Sequence, residues 1–277
     1  MKIILTEPTG FCFGVRRAVR LTETALDENT RQVYCLGPLI HNRTVVEHLR
    51  RKGVRVIKRI SDAGKGRVII RTHGTQPEVL VEAGKRDIEL LDATCPFVKS
   101  SQRIAMQLIR EGYQVVIAGD RKHPEIESLL GFTDGKSVII EPDAGKLPAL
   151  KKKVGVLAQT TCCKEAYTEL IHRLMKEDIA ELRVFNTICD DSIRRQEAAL
   201  KLARKVEIML VIGGRHSANT KRLFQICSHA GVETHHIESA RQLRSGWLEG
   251  KKRIGIASGA STPDWIIEEI IEKLNKN

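Results

Sequence analysis

The sequence predicts an α/β fold built from three αβα lobes with mostly parallel sheets. Three observations predict it. Across 277 residues, one pattern of apolar strand, threonine-bearing turn, cysteine and helix occurs three times. The strands are continuous apolar runs rather than alternating ones, as in strands buried on both faces. Between them lie segments with helical spacing, such as Val15, Ala18 and Val19, or Ile104, Ala105, Leu108 and Ile109. Apolar strands alternating with amphipathic helices give parallel sheets covered by helices, and self-similarity at a fixed period sets the architecture.

The elements follow in a fixed order. One strand of each unit ends at a cysteine: Ile3–Leu5 leads to Cys12, Ile88–Leu91 to Cys95 and Leu182–Phe185 to Cys189. A second strand ends in a polar turn: Val33–Leu36 before His41-Asn42-Arg43, Val115–Ala118 before His123-Pro124-Glu125, and Ile208–Ile212 before Ser217-Ala218-Asn219. The helix after each turn ends near a glycine, at Gly53, Gly131 and Gly231. A third strand ends at Thr72-His73-Gly74, at Gln159-Thr160-Thr161 and at Gly259-Ala260-Ser261. Nine strand–turn–helix steps therefore fall in one order three times. Ligands of open parallel sheets collect beyond the carboxyl ends of the strands, where all nine turns lie. The repeats divide the chain into lobes at 13–95, 96–189 and 190–277, the last completed by the N-terminal strand in 1–12. A pseudo-threefold arrangement would turn all nine turns toward one centre.

Composition bounds the function. No apolar run approaches the ~20 residues of a membrane span, and the N-terminus has no cleavable signal pattern, so the expected location is cytoplasmic with no membrane partner. Seven cysteines without an export signal argue against a disulfide framework. Cys35 in a strand and Cys227 in a helix read as small buried hydrophobes. The adjacent Cys162 and Cys163 read as packing or incidental redox residues. Cys12, Cys95 and Cys189 recur at one step of the repeat, and helix amides there should lower a thiol pKa and favour the metal-binding thiolate. Three converging thiolates describe a metal site with one open position. Zinc and an iron–sulfur cluster both remain possible, although thiolates from distant lobes suit a bulky cluster better than a compact ion.

The net charge of +12 raises the question of nucleic acid. The basic residues are spread over many helices, and three Tyr and two Trp give little stacking surface. Solvated helix faces account for most of the charge, and no nucleic-acid partner is expected. The remainder suits an anionic substrate and an acidic electron carrier such as ferredoxin or flavodoxin. No phosphate loop for nucleoside triphosphates is present. Ser217, Asn219 and Ser261 read equally as helix N-caps and as phosphate donors. From the residues alone the site leaves open a redox enzyme, a non-redox hydro-lyase with an open iron, and a sensor or RNA-associated binding protein.

The motifs Gly10-Phe11-Cys12-Phe13-Gly14, His41-Asn42-Arg43, Thr72-His73-Gly74, Ala93-Thr94-Cys95-Pro96, His123-Pro124-Glu125, Gln159-Thr160-Thr161, Ile188-Cys189 with Arg195-Gln196-Glu197, Ser217-Ala218-Asn219 and Gly259-Ala260-Ser261 span the chain. In this order they resemble the 4-hydroxy-3-methylbut-2-enyl diphosphate reductase family, iron–sulfur enzymes of the methylerythritol phosphate route to isoprenoids. The resemblance implies three αβα lobes around one 4Fe–4S cluster held by Cys12, Cys95 and Cys189. It implies a substrate diphosphate held by His41, His73, His123, Ser217, Asn219 and Ser261, and proton delivery by Glu125 and Thr160. It also implies the reaction: two electrons pass through the cluster, the allylic hydroxyl leaves as water, and isopentenyl and dimethylallyl diphosphate form. Two departures stand out. Ala218 replaces a common serine, and Asp190-Asp191-Ser192 replaces a common Ala-Thr pair, with Ser192 left to serve for the threonine.

Overall fold

The structure is a computed structural model, and it describes residues 1–28, 31–86, 88–141 and 144–276. Residue 277, the end of the third expected lobe, lies outside this range. Twelve strands occur among the described residues: β1 (Lys2–Leu5), β2 (Val33–Leu36), β3 (Arg55–Ile57), β4 (Gly66–Ile70), β5 (Ile88–Asp92), β6 (Gln114–Ala118), β7 (Val138–Ile140), β8 (Lys153–Ala158), β9 (Glu181–Phe185), β10 (Ile208–Ile212), β11 (Glu233–Ile237) and β12 (Arg253–Ser258). The α-helices are α1 (Phe13–Asp27), α2 (Arg43–Arg51), α3 (Pro77–Gly84), α4 (Pro96–Arg110), α5 (Pro124–Gly131), α6 (Lys164–Leu174), α7 (Asp190–Ala203), α8 (Ala218–His229) and α9 (Asp264–Asn275).

The strands form three four-stranded sheets of order β1-β12-β10-β11, β3-β2-β4-β5 and β7-β6-β8-β9. Every strand pairing is parallel. The three orders are one order: the strand that leads to the cysteine at one edge, then the third strand, the second, and a fourth strand at the other edge. In the first sheet the edge strand comes from the N-terminus, with Leu5 opposite Ile256. The fourth strands β3, β7 and β11 were not read from the sequence. β3 and β7 have only three residues each, and β3 and β11 carry polar residues, Arg55-Val56-Ile57 and Glu233-Thr234-His235-His236-Ile237.

The chain divides into two compact units. The first comprises 1–16, 40–49 and 190–277 and holds the β1-β12-β10-β11 sheet. Both faces of that sheet are buried. Ile208, Leu210 and Ile212 pack with Ile254 and Ile256 under Ile266, Ile267, Ile270 and Leu274 of α9. Met209 and Val211 point the other way, onto Ala199, Leu202 and Ala203 of α7 and onto Leu223 and Cys227 of α8. Each residue of β10 is fully buried, which is why its sequence shows no polar alternation.

The second unit comprises 17–39 and 50–189 and holds the other two sheets. Tyr34, Leu36, Val68 and Ile70 make one core cluster. Val115, Ile117 and Leu157 make another, beneath Ala105 and Leu108 of α4 and Ile126 and Leu129 of α5. Cys35 and Cys227 are buried, and burial pushes both thiols up to about 12, so they serve as apolar packing. No helix among the described residues is long and apolar enough to cross a membrane.

Candidate active site

In each sheet the chain leaves the second strand toward one edge and returns to the third strand on the other side. Such a reversal opens a crevice beyond the strand ends. The turns after the second and third strands of each sheet, β2 and β4, β6 and β8, and β10 and β12, carry the candidate histidine, glutamate, asparagine and hydroxyl residues.

Three cysteines share one backbone setting. The N–H of Cys95 donates to the carbonyl of Thr72 at 2.9 Å, that of Cys189 to Thr160 at 2.9 Å, and that of Cys12 to Ala260 at 3.0 Å. Thr72, Thr160 and Ala260 hold equivalent places in the third-strand turns, so a single hydrogen bond recurs three times and fixes each cysteine just before a helix. The three thiols are in no disulfide and are only half-buried, whereas Cys35, Cys162 and Cys227 are buried. Soft donors that are accessible and not used in packing fit an iron–sulfur group. Cys163 is half-buried, with its Sγ 2.8 Å from a carboxylate oxygen of Glu165. One expectation is corrected at Cys12. Its sulfur accepts the N–H of Val15 at 3.5 Å, but burial outweighs that contact and raises the thiol pKa, with Asp191 adding to the rise and Arg195 opposing it. Burial thus favours the protonated thiol at Cys12 in the metal-free chain.

The second unit brings His73, His123, Glu125 and Thr160 together. His123 caps α5, and its Nδ1 accepts the N–H of Glu125 at 3.2 Å. That bond places the ring proton on Nε2, which makes this nitrogen a donor. The rings of His73 and His123 meet edge to face with centroids 5.2 Å apart. Pro124 sets the first turn of α5 and leaves Glu125 pointing inward at 1% exposure. The Glu125 carboxylate accepts the Thr160 N–H on one oxygen and the Thr160 hydroxyl on the other, both at 2.7 Å. Burial pushes this carboxyl up to about 7 even against those two bonds.

Support for this cluster comes from residues that sequence reasoning missed. Ser128 of α5 accepts from the Gln102 amide and donates to the Thr75 carbonyl, both at 2.9 Å. This ties the turn beyond His73 to α4 and α5. Gly74, at φ +78°, passes so close that an added Cβ would lie 2.8 Å from both Gln102 Nε2 and Ser128 Oγ. A serine buried on the apolar face of α5, beside Ile126 and Leu129, was the available signal.

The first unit gathers His41, Ser217, Asn219 and Ser261. The Ser261 hydroxyl donates to the His41 carbonyl at 3.4 Å. Gly214 lies against the same carbonyl, where an added Cβ would stand 2.2 Å from the oxygen. Of the three presumed cap residues only Ser217 is one, accepting the Thr220 N–H at 3.3 Å. Pro263 occupies the cap position of α9, and Asn219 lies within the first turn of α8. Asn219 occupies the position equivalent to Glu125, two residues after the helix cap. It is 3% exposed, and neither its amide oxygen nor its amide nitrogen has a hydrogen-bond partner among the described residues. An unsatisfied buried amide costs stability and marks a place for a polar ligand. Ser192 is buried at the start of α7.

Comparison with known proteins identifies the family. The model of the LytB protein family matches residues 3–275. A 4-hydroxy-3-methylbut-2-enyl diphosphate reductase of Geobacter metallireducens is 42% identical over 278 residues, covering 100% of this chain and 98% of that protein. The enzyme of the same name from Aquifex aeolicus is 42% identical over 280 residues, covering 99% and 96%. Among solved structures, an (E)-4-hydroxy-3-methyl-but-2-enyl diphosphate reductase, described as the terminal enzyme of the non-mevalonate pathway, matches with a TM-score of 0.73 at 41% identity over the whole of both chains. The E-1-hydroxy-2-methyl-but-2-enyl-4-diphosphate reductase of Plasmodium falciparum matches with a TM-score of 0.91 at 26% identity, covering 99% of this chain and 88% of that one. The chain belongs to the LytB protein family, whose members here bear the name 4-hydroxy-3-methylbut-2-enyl diphosphate reductase.

Proposed function

We propose that the chain is a reductive dehydroxylase that converts 4-hydroxy-3-methylbut-2-enyl diphosphate to isopentenyl and dimethylallyl diphosphate. The observation that carries this reading is Glu125. A fully buried carboxyl with its pKa near 7, held on both oxygens by Thr160, is a general acid suited to neutral pH. Its task is to protonate the departing allylic hydroxyl, which leaves as water, and Thr160 holds the carboxyl in position. His123, a donor through Nε2, joins His73, His41, Ser217, Ser261 and the unsatisfied amide of Asn219 in binding the diphosphate. Neutral hydroxyl, amide and imidazole donors suit phosphate oxygens.

Cys12, Cys95 and Cys189 would together hold one 4Fe–4S cluster. A bound cluster would pass on two electrons, one at a time, from the external donor and would offer an open iron as a Lewis acid toward the substrate oxygen. Support for three equivalent ligands is the repeated cysteine hydrogen bond, which half-buried Cys163 does not share. An acidic ferredoxin or flavodoxin is the proposed donor, on the strength of the +12 charge.

The test is anaerobic reconstitution with iron and sulfide, followed by Mössbauer and EPR spectroscopy and product analysis with the diphosphate substrate and a chemical reductant. Cys12→Ser, Cys95→Ser and Cys189→Ser should each lose most of the cluster and the activity, while Cys35→Ser keeps both. Turnover that does not consume reductant would make the chain a hydro-lyase. A full 4Fe–4S spectrum in Cys95→Ser would remove the three-cysteine site.

A further inference from the structure

We infer that Arg195, balanced by Asp191, is a positioning residue that sets the Cys12 ligand. The inference rests on the reading of Cys12 as a cluster ligand. The chain between β1 and α1, residues 6–12, carries Cys12 without belonging to helix or strand. Backbone groups secure it at Thr6, whose N–H donates to Ile256, and at Cys12 itself, whose N–H donates to Ala260. Between those points the Arg195 guanidinium holds the carbonyls of Pro8 and Gly10, while Arg16 of α1 donates to the Phe11 carbonyl at 3.2 Å. Nη1 donates to the Pro8 carbonyl at 3.3 Å and to the Ser258 carbonyl at 3.1 Å, and Nη2 donates to the Gly10 carbonyl at 3.0 Å. Ser258 Oγ then accepts the Gly10 N–H at 3.1 Å. One side chain of α7 thus joins the cysteine loop to the end of β12.

Arg195 is 2% exposed, and a buried cation needs a counter-charge. Asp191, one helical turn earlier, provides it: Oδ2 accepts from Nε at 2.6 Å, and Oδ1 lies 3.5 Å from Nη2. The pair fixes the plane of the guanidinium, and the plane decides which carbonyls its two terminal nitrogens reach. A lysine has one point of donation and cannot bridge Pro8, Gly10 and Ser258 together. Asp191, one of the two carboxylates beside Cys189, therefore acts on a different cysteine from its sequence neighbour. Gly10, at φ +70°, allows the bend that presents its carbonyl to the guanidinium.

The experiment compares Arg195→Lys, Asp191→Ala and wild type as full-length chains. Circular dichroism and thermal melting check the fold. Pulse alkylation of the metal-free chain with iodoacetamide, mapped by mass spectrometry, reads each cysteine separately. Release of the loop should speed Cys12 alkylation roughly tenfold, as expected for a segment whose local opening has become easier, and leave Cys95 and Cys189 within about twofold. The reduced cluster of the reconstituted variants should show an altered EPR spectrum. If Arg195→Lys does not fold, Asp191→Ala decides, with rates compared at the high-pH plateau where every thiol is ionised, because loss of the Asp191 charge by itself favours the Cys12 thiolate. An unchanged Cys12 rate in a folded variant, or equal acceleration of all three cysteines, would overturn the positioning role. Failure of wild type to bind a cluster would instead remove Cys12 as a ligand and leave the alkylation result intact.

Discussion

Glu125 and Asn219 occupy the same step of two repeats and show two ways of keeping a polar side chain buried. Glu125 is satisfied by Thr160 and pushed up to about 7 by burial. Its proton is in place below that pH and lost above it, so kcat should fall about tenfold per pH unit once the acid is mostly ionised, as for a single titrating group. Glu125→Gln keeps both contacts, with its carbonyl accepting the Thr160 N–H and its amide donating to the hydroxyl. The variant should bind cluster and substrate, turn over ~10²–10⁴-fold more slowly, and lose the alkaline limb of the kcat profile. Stability carries the same sign. A carboxyl with a raised folded-state pKa adds stability that is complete below the unfolded value and disappears as pH rises through about 7, so the melting temperature of Glu125→Gln should depend less on pH there. Asn219 is the opposite case, a buried amide left unsatisfied among the described residues. Asn219→Leu should melt no lower than wild type without ligand, since it removes the desolvated group. It should nevertheless weaken diphosphate binding by about 1–3 kcal/mol, measured by calorimetry. A large loss of stability would make Asn219 structural.

Elements explain which parts of the fold are legible in sequence and which are not. The strands β10, β6 and β4 announce themselves because burial on both faces demands unbroken apolar runs. The edge strands β3 and β11 face solvent in part, so their residues obey no such demand, and β7 spans only Val138–Ile140. The turns were legible for a related reason: each follows a readable strand, and the chemistry sits at the strand ends. Arg195 was not. An arginine in a helix ordinarily reads as a solvated face, and its carbonyl partners Pro8 and Gly10 lie 187 and 185 positions away. No local spacing encodes a contact of that range. The turn after β10 adds a prediction. Gly214 meets the His41 carbonyl so closely that Gly214→Ala must displace one backbone segment or the other. Overpacking of this kind costs about 1–3 kcal/mol, and it should raise KM for the diphosphate because His41 and Ser261 share that carbonyl contact. Unchanged KM in a destabilised variant would separate the turn from substrate binding.

At the scale of the whole molecule, the repeat and the charge have different consequences. One strand order used three times gives each cysteine an equivalent backbone bond, so loss of any one should remove a similar share of cluster binding. The charge has no such order. It amounts to 46 basic against 34 acidic residues spread over many helices. Many of the ion pairs are exposed, such as Lys52 with Glu23 and Lys152 with Asp178, and such pairs contribute little to stability. The excess positive charge therefore matters most for what approaches the protein. A field of this sign speeds the encounter with an acidic protein and does much less for a small reductant. Salt screens exposed charges beyond about 10 Å at 0.1 M. Turnover supported by a ferredoxin or flavodoxin should accordingly fall as ionic strength rises from low to moderate values, through a slower second-order step with an unchanged limiting rate at saturating carrier. Turnover with a small chemical reductant should fall much less over the same range. The measurement is a pair of salt titrations on one enzyme preparation, each at subsaturating donor. Parallel curves would mean that charge does not guide the carrier, and the basic surface would then be nothing more than solvated helix faces.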